Sequence, residues 1–329
     1  MTTFKEIRGT AIQSVSSDPS NPEEGQIWYN NTIGVLKGYQ LVADAWASGG
    51  NLGTARYYIA AAGTQTAGLG FGGQLPIAAS GLLTEEYNGS TWSPGGNLGT
   101  ARAGMGGAGT QTAGLGFAGY GPPGNGTRVL TEEYDGSTWS PGGNVATNVN
   151  FLAGAGTQTA GLKFGGQNST GFQTSTEEYD GSAWTAGGNL PTGKYALAGC
   201  GTQTAGLGFG GYAPALGVPA VATTLEYDGA SWTSGGNLNT ARAFFTGCGT
   251  QTAGLAFGGA TPSVTGATES YNGTSWATSP ASMSTARASL GGAGTQTAGL
   301  GFGGQAPSTT AATEEFTGAF LSTKKITTS

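Results

Sequence analysis

The chain has 329 residues, with 65 glycines, two cysteines, no histidine and only 9% charged side chains. Without histidine it lacks the commonest general acid/base and the usual imidazole metal ligand, and a net charge of −6 gives none of the basic footprint that phosphate backbones require. No run of 18 apolar residues occurs, and the first 20 residues lack the apolar stretch of a secretory signal, so we expect no membrane insertion, no nucleic-acid partner and no entry to the secretory route.

Residues 1–40 stand outside any repeat. The stretch MTTFKEIRGTAIQSVSSDPSNPEE reads as an extended arm with a Pro-rich turn region, and QIWYN-NTIG-VLKGY as a β-hairpin. An arm with so few large apolar residues is expected to order only against a partner. Its docking contacts would be Phe4, Ile7, Ile12 and Trp28.

The remainder is self-similar. GTQTAGL begins at Gly63, Gly109, Gly156, Gly201, Gly249 and Gly294, at spacings of 46, 47, 45, 48 and 45 residues. In phase with it come EEYNGSTW from Glu85, EEYDGSTW from Glu132, EEYDGSAW from Glu177, LEYDGASW from Leu225, ESYNGTSW from Glu269 and the eroded EEFTGAFL from Glu314. Each unit reads as four short strands: a run of small residues, a tight turn at TQTA, an apolar strand ending near Gly-Gly, then TEEY and a Trp segment. The Asx-Gly between the last two predicts a type I′ hairpin turn. No helical period of apolar residues survives, and a repeated four-strand unit of this length points to an all-β propeller.

The order of Arg, small-residue strand, Gly-Gly, variable loop, Glu-x-Tyr-Asx and Trp resembles the kelch repeat over residues 41–321. The phase-matched cations are Arg56, Arg102, Lys194, Arg242 and Arg287, with Asn148 as the departure, and the second Gly-Gly is replaced by Ala118-Gly119. The resemblance implies a six-bladed propeller whose blade interfaces are filled by Trp46, Trp92, Trp139, Trp184, Trp232 and Trp276. Trp46 belongs to a fourth strand that has lost its first three, whereas the last unit has three strands and no Trp. An N-terminal strand is therefore expected to close the last blade, with FLSTKKI near the C-terminus as the competitor for that place and residues 322–329 as a tail. A copper radical oxidase of kelch-like fold needs histidines, so that activity is excluded.

Ten of the thirteen glutamates recur in the EEY strings, where pairing with the phase-matched cations is expected in preference to catalysis. Cys200 and Cys248 replace alanine at equivalent positions and are expected as free buried thiols. Neither a metal nor a cofactor is expected. In an up-and-down blade the TQTA and Asx-Gly turns share one face, and the loops of variable length share the other. Recognition usually sits on such loops, which makes Tyr120, Arg128, Phe172 and Tyr212 the candidate contacts.

GQIWYNNTIGVLKGY resembles a segment found near the start of tail, fibre and other virion proteins of marine bacteriophages, often ahead of Gly/Thr/Ser-rich β repeats. That resemblance implies a non-catalytic virion structural protein, made in the host cytoplasm. It would dock through its arm to other virion proteins, with a homo-oligomer on the particle as an option, and display the propeller to a host-surface protein or glycan. A carbohydrate-binding attachment module and a cellular kelch-type interaction propeller stand as alternatives, and an enzyme is the weakest reading.

Overall fold

The structure is a computed structural model that describes residues 12–75, 81–122, 126–213 and 220–326. It is all-β, with no helix among the described residues, and its chain divides into two compact units, residues 1–44 with 318–329 and residues 45–317. Phe4 and Ile7 lie outside the described residues.

The smaller unit is a four-stranded sheet. Gln13–Val15 pairs parallel to Ile27–Asn30, which forms the expected hairpin with Val35–Val42, and Phe320–Lys325 adds antiparallel to the far side. Two expectations change here. The C-terminal strand does not compete for the last repeat unit, because Leu321 lies opposite Leu41 and Phe320 opposite Val42. Nor is the whole arm without internal partners: Asp18 accepts from the Trp28 indole, the Asn30 amide and Lys37 Nζ, the last at 2.7 Å. These donors hold the Asp18 carboxyl below its ordinary range, Lys37 contributing most.

The larger unit holds six antiparallel four-stranded sheets in simple chain order, which makes it propeller-like. The first sheet, Ala60–Thr64, Ala67–Phe71, Thr84–Tyr87 and Trp92–Pro94, is typical. In the last sheet, Gly291–Thr295, Ala298–Phe302 and Thr313–Thr317 receive Ala45–Ser48 as fourth strand, with Phe316 opposite Trp46.

The repeated Gln, Trp and Tyr each make bonds to a neighbouring sheet. The Gln of TQTA donates to two carbonyls of the preceding unit, as Gln111 does to Gly68 and Tyr87. Gln65 of the first unit donates in the same way to Gly299 and Phe316 of the last. Each Trp indole donates to a Thr hydroxyl of a neighbouring sheet, Trp139 to Thr84 and Trp46 to Thr268, both at 2.9 Å. The invariant Gly before TQT is required sterically: Gly63 has φ +93, and a Cβ there would lie 2.2 Å from the Ala67 carbonyl oxygen.

The Asx-Gly hairpin differs from the predicted two-residue turn. Tyr87 pairs with Trp92 across four residues, only Gly89 of which takes positive φ, and the Asn88 side chain accepts the N–H groups of Ser90 and Thr91. A side-chain cap of this kind satisfies the loop backbone without a second residue at positive φ.

The carboxylates divide by position. The first Glu of every string but the fourth, which has Leu225 there, is buried on a cation, as in Arg56–Glu85 at 2.9 Å and Arg102–Glu132 at 2.7 Å, where the second oxygen accepts the N–H of Gly53 or Gly99. The second Glu accepts the Tyr hydroxyl of the next unit, as Glu86 does from Tyr134 at 2.5 Å.

The third unit corrects the alignment of the cation column. Val149, fully buried, occupies the arginine's place, and Asn148 turns its amide to Thr127. The missing charge comes from Lys163, on a second strand where other units have Gly or Ala, and it reaches Glu177 at 2.8 Å and the Ser175 hydroxyl. Burial opposes ionisation of Glu177, but Lys163 and two backbone N–H groups outweigh it and lower its pKa.

Candidate functional site

Once the repeated letters are consumed by bonds between sheets, chemistry is left at positions that do not repeat. One backbone position in each unit, two residues before the buried strand begins, takes positive φ: Tyr58, Gly104, Phe151, Ala196, Phe244 and Ser289. Their backbones form a cycle of hydrogen bonds. Gly104 N–H donates to Tyr58 C=O, Phe151 to Gly104, Ala196 to Phe151, Phe244 to Ala196, Ser289 to Phe244 and Tyr58 to Ser289, at 2.7–3.1 Å. Five of these six residues carry a Cβ in a region of φ that disfavours one, so the cycle imposes the conformation at some cost.

Large and small side chains alternate around this cycle. The three aromatic members meet one another, with ring centroids 4.6 Å apart for Tyr58–Phe151, 5.8 Å for Tyr58–Phe244 and 5.6 Å for Phe151–Phe244. A cavity of about 90 Å³ is bounded by this triad and Ser289. A second cavity, of about 220 Å³, is lined by the Gly- and Ala-rich first strands of all six sheets together with Cys200 and Cys248.

Further aromatic rings extend the triad on the side of the variable loops. Tyr120 packs on Phe151 at 5.5 Å and donates its hydroxyl to Gln74. Tyr212 packs on Phe244 at 5.5 Å, and Tyr195 lies 5.4 Å from Tyr212. Phe172, 39% exposed, stacks on Tyr195 at 5.1 Å with planes 11° apart, and Tyr57 flanks Tyr58 at 4.8 Å. Burial raises the phenol pKa of Tyr58, Tyr120 and Tyr195, so these hydroxyls stay protonated donors at neutral pH.

Three of the four loop residues singled out in the sequence, Tyr120, Phe172 and Tyr212, are thus brought into one aromatic patch. Arg128 has another role: its guanidinium donates to the carbonyls of Gly121 and Pro122 and so pins its own loop. Sequence reasoning missed Tyr57, Tyr58, Phe151, Tyr195 and Phe244. Aligning the repeats on the column just before the small-residue strand would have exposed the alternation of aromatic and small residues there.

The other candidate positions sort by burial. Trp28 is fully buried against Tyr39 at 4.6 Å, which removes its ring from any docking surface, whereas Ile12 is exposed. Trp276 is buried, and Trp46, Trp92, Trp139, Trp184 and Trp232 are partly buried at interfaces between sheets.

The cavities offer little reactive chemistry. Both cysteines are free, and their thiols donate to the carbonyls of Thr250 and Thr295. Burial pushes the Cys200 thiol up to about 12 and raises Cys248 as well, so both are held as thiols without nucleophilic character. Among the described residues no group of three His, Cys, Asp or Glu side chains could hold a metal. No protein-family model matches the chain, and no curated protein matches it significantly.

Proposed function

We propose that this chain is a non-catalytic structural protein of a bacteriophage virion. In this reading the larger unit is a six-bladed, kelch-like propeller, closed by residues 45–48 and presenting its loop face to the host surface. The cyclic bonds through Gln65, Trp92 and Tyr58 support closure, since each of them joins the first unit to the last. The carrying observation for a binding role is the division of labour along the repeat. The recurring Gln, Trp, Tyr and first Glu are committed to contacts between strands and sheets, while the non-recurring aromatics gather on one patch.

The smaller unit is the docking element. Six of the nine exposed large hydrophobic residues of the described chain, Ile12, Tyr29, Ile33, Leu41, Val42 and Phe320, lie there. Apolar surface concentrated in so small a sheet suits burial against another virion protein. The virion assignment itself draws on the likeness of GQIWYNNTIGVLKGY to segments of phage structural proteins.

Mass spectrometry of purified phage particles encoding this chain tests the proposal. The protein is expected at stoichiometric copy number, and its absence from intact particles would overturn the assignment. Ile33→Asp combined with Phe320→Asp is expected to leave the isolated protein folded and to abolish its incorporation; normal incorporation would remove the docking role of this unit.

A further inference from the structure

We infer that the aromatic patch around the residue 58–289 cycle is a binding site for neutral hexopyranose units of a glycan. The inference rests on the reading of the loop face as the contact face and adds the chemistry of what is bound.

Charge narrows the choice first. The loops spanning residues 74–83, 120–130, 167–175, 212–223, 260–267 and 305–312 contain one charged side chain, Arg128, and no carboxylate. Arg128 is engaged with the carbonyls of its own loop. A sialylated or sulfated glycan would therefore find no cation cluster to pair its anionic groups, and a cationic partner would find no acid. Aromatic platforms also stack nucleobases, but such sites add a positively charged groove that follows the phosphates, and here the net charge is −6.

Shape narrows it further. A proline-rich peptide docks along an elongated aromatic groove, whereas these rings cluster around a single cyclic mouth. What the patch offers is ring faces flanked by uncharged hydrogen-bonding groups. Phe172 and Tyr195 lie nearly parallel at the exposed rim, with the amide of Gln173 bonded within the same loop at Asn168 and Gly171. Tyr120 and Gln74 form a hydroxyl–amide pair between the loops of the second and first units. Apolar faces ringed by a few oriented polar groups are the general makeup of a small-ligand site. The C–H face of a pyranose ring and its equatorial hydroxyls complement both components without any charge.

The test uses the full-length protein on an array of neutral oligosaccharides of glucose, galactose and mannose, with sialylated and sulfated glycans alongside. Titration calorimetry with the best neutral oligosaccharide follows. Binding to neutral glycans is expected, and Phe172→Ala or Tyr212→Ala is expected to weaken it by about tenfold or more, the loss that truncating one aromatic anchor gives. Thermal melting of both variants checks that they remain folded. Binding confined to acidic glycans, no binding to any neutral one, or neutral binding unchanged in both variants would each overturn the inference. Particle adsorption to host cells separates the two levels. If Phe172→Ala abolishes adsorption while no neutral glycan binds or competes, the contact face stands and the ligand class falls, with a proline-rich peptide as the next probe. Neutral-glycan binding lost in the variants but without any adsorption defect would instead remove the host-contact reading and leave the sugar site.

Discussion

Four sheets of the larger unit bury an arginine against a glutamate, and the third and fourth sheets do not. In the third, the cation moves to Lys163 and keeps its carboxylate. In the fourth, Lys194 stands in the arginine's column, but the glutamate has become Leu225, and among the described residues the lysine donates only to the Thr223 hydroxyl. A further change accompanies it. The residue whose N–H would meet the missing carboxylate, Gly53 in the first unit and Gly99 in the second, is Pro191, which has no N–H. The hydroxyl that each lysine needs, Ser175 or Thr223, stands where the arginine units have Leu83, Leu130, Ala267 and Ala312. The lesson of the comparison is that acceptor and donor are lost together. Leaving one buried partner alone is the costly event, and removing both is nearly neutral.

The sharpest way to break this comparison is to impose the fourth sheet's leucine on the second. Glu132→Leu leaves the Arg102 guanidinium buried without its carboxylate and Gly99 N–H without its acceptor. We expect a loss of about 3–5 kcal/mol in chemical denaturation. Adding Gly99→Pro, Arg102→Lys and Leu130→Thr rebuilds the fourth sheet's solution and is expected to recover most of it. Failure of the quadruple variant to exceed the single one in stability would mean that the coupled changes are accidental.

Titration of Lys194 sharpens the same contrast. Burial pulls its pKa from 10.5 down to about 8. The folded state therefore binds this proton less tightly than the unfolded one, and the penalty is complete below pH 8. Stability should rise between about pH 8 and 10.5, by an amount on the order of 3 kcal/mol. Above pH 10 the tyrosines oppose the gain, since burial first and glutamate partners second push Tyr134 and Tyr179 up to about 12. The unfolded chain then releases protons that the folded chain retains. Lys194→Met is expected to be more stable than the parent at pH 7 and to lose the rise above pH 8; identical pH profiles for the two proteins would refute the assignment.

A third, smaller coupling lies at the tyrosines. Tyr179 donates to Glu133 at 2.5 Å, whereas at the junction of the fifth and sixth sheets both partners are gone, Glu to Ser270 and Tyr to Phe316. Tyr179→Phe should cost about 1–2 kcal/mol by orphaning a half-buried carboxylate, and Glu133→Ser in the same chain should return a large part of that. Strict additivity in the double-mutant cycle would show that the pair is not coupled.

The legible part of the fold was whatever repeats. Fixed spacing revealed the four-strand units, and the leftover Trp46 indicated which strand completes the last sheet, as its place opposite Phe316 bears out. What escaped was chemistry that changes address. Asn148 looked like the arginine's replacement because Val149 carries no charge to mark the column, and the charge had moved 14 residues on to Lys163. Pairing of residues 37–42 with Phe320–Lys325 was hidden because contacts between distant segments leave no local period. The aromatic patch was half visible: its loop residues stand out in composition, but Tyr58, Phe151 and Phe244 meet only because a cycle of backbone bonds brings three separate repeats to one point.

That origin gives the smallest expected effect on stability. Among the described residues Phe172 makes a ring contact with Tyr195 alone, and it is 39% exposed, so Phe172→Ala should alter stability by no more than about 0.5 kcal/mol, as surface substitutions outside special features do. A larger loss in denaturant would place Phe172 among the groups that hold the sheets together, and the patch would then belong to the scaffold. Stability within that limit leaves the stacked pair with no structural duty, because the strands on either side are already secured by their Gln, Trp and Tyr bonds. An aromatic residue kept at the rim of a rigid frame that does not need it is then free to be read by whatever the loop face meets.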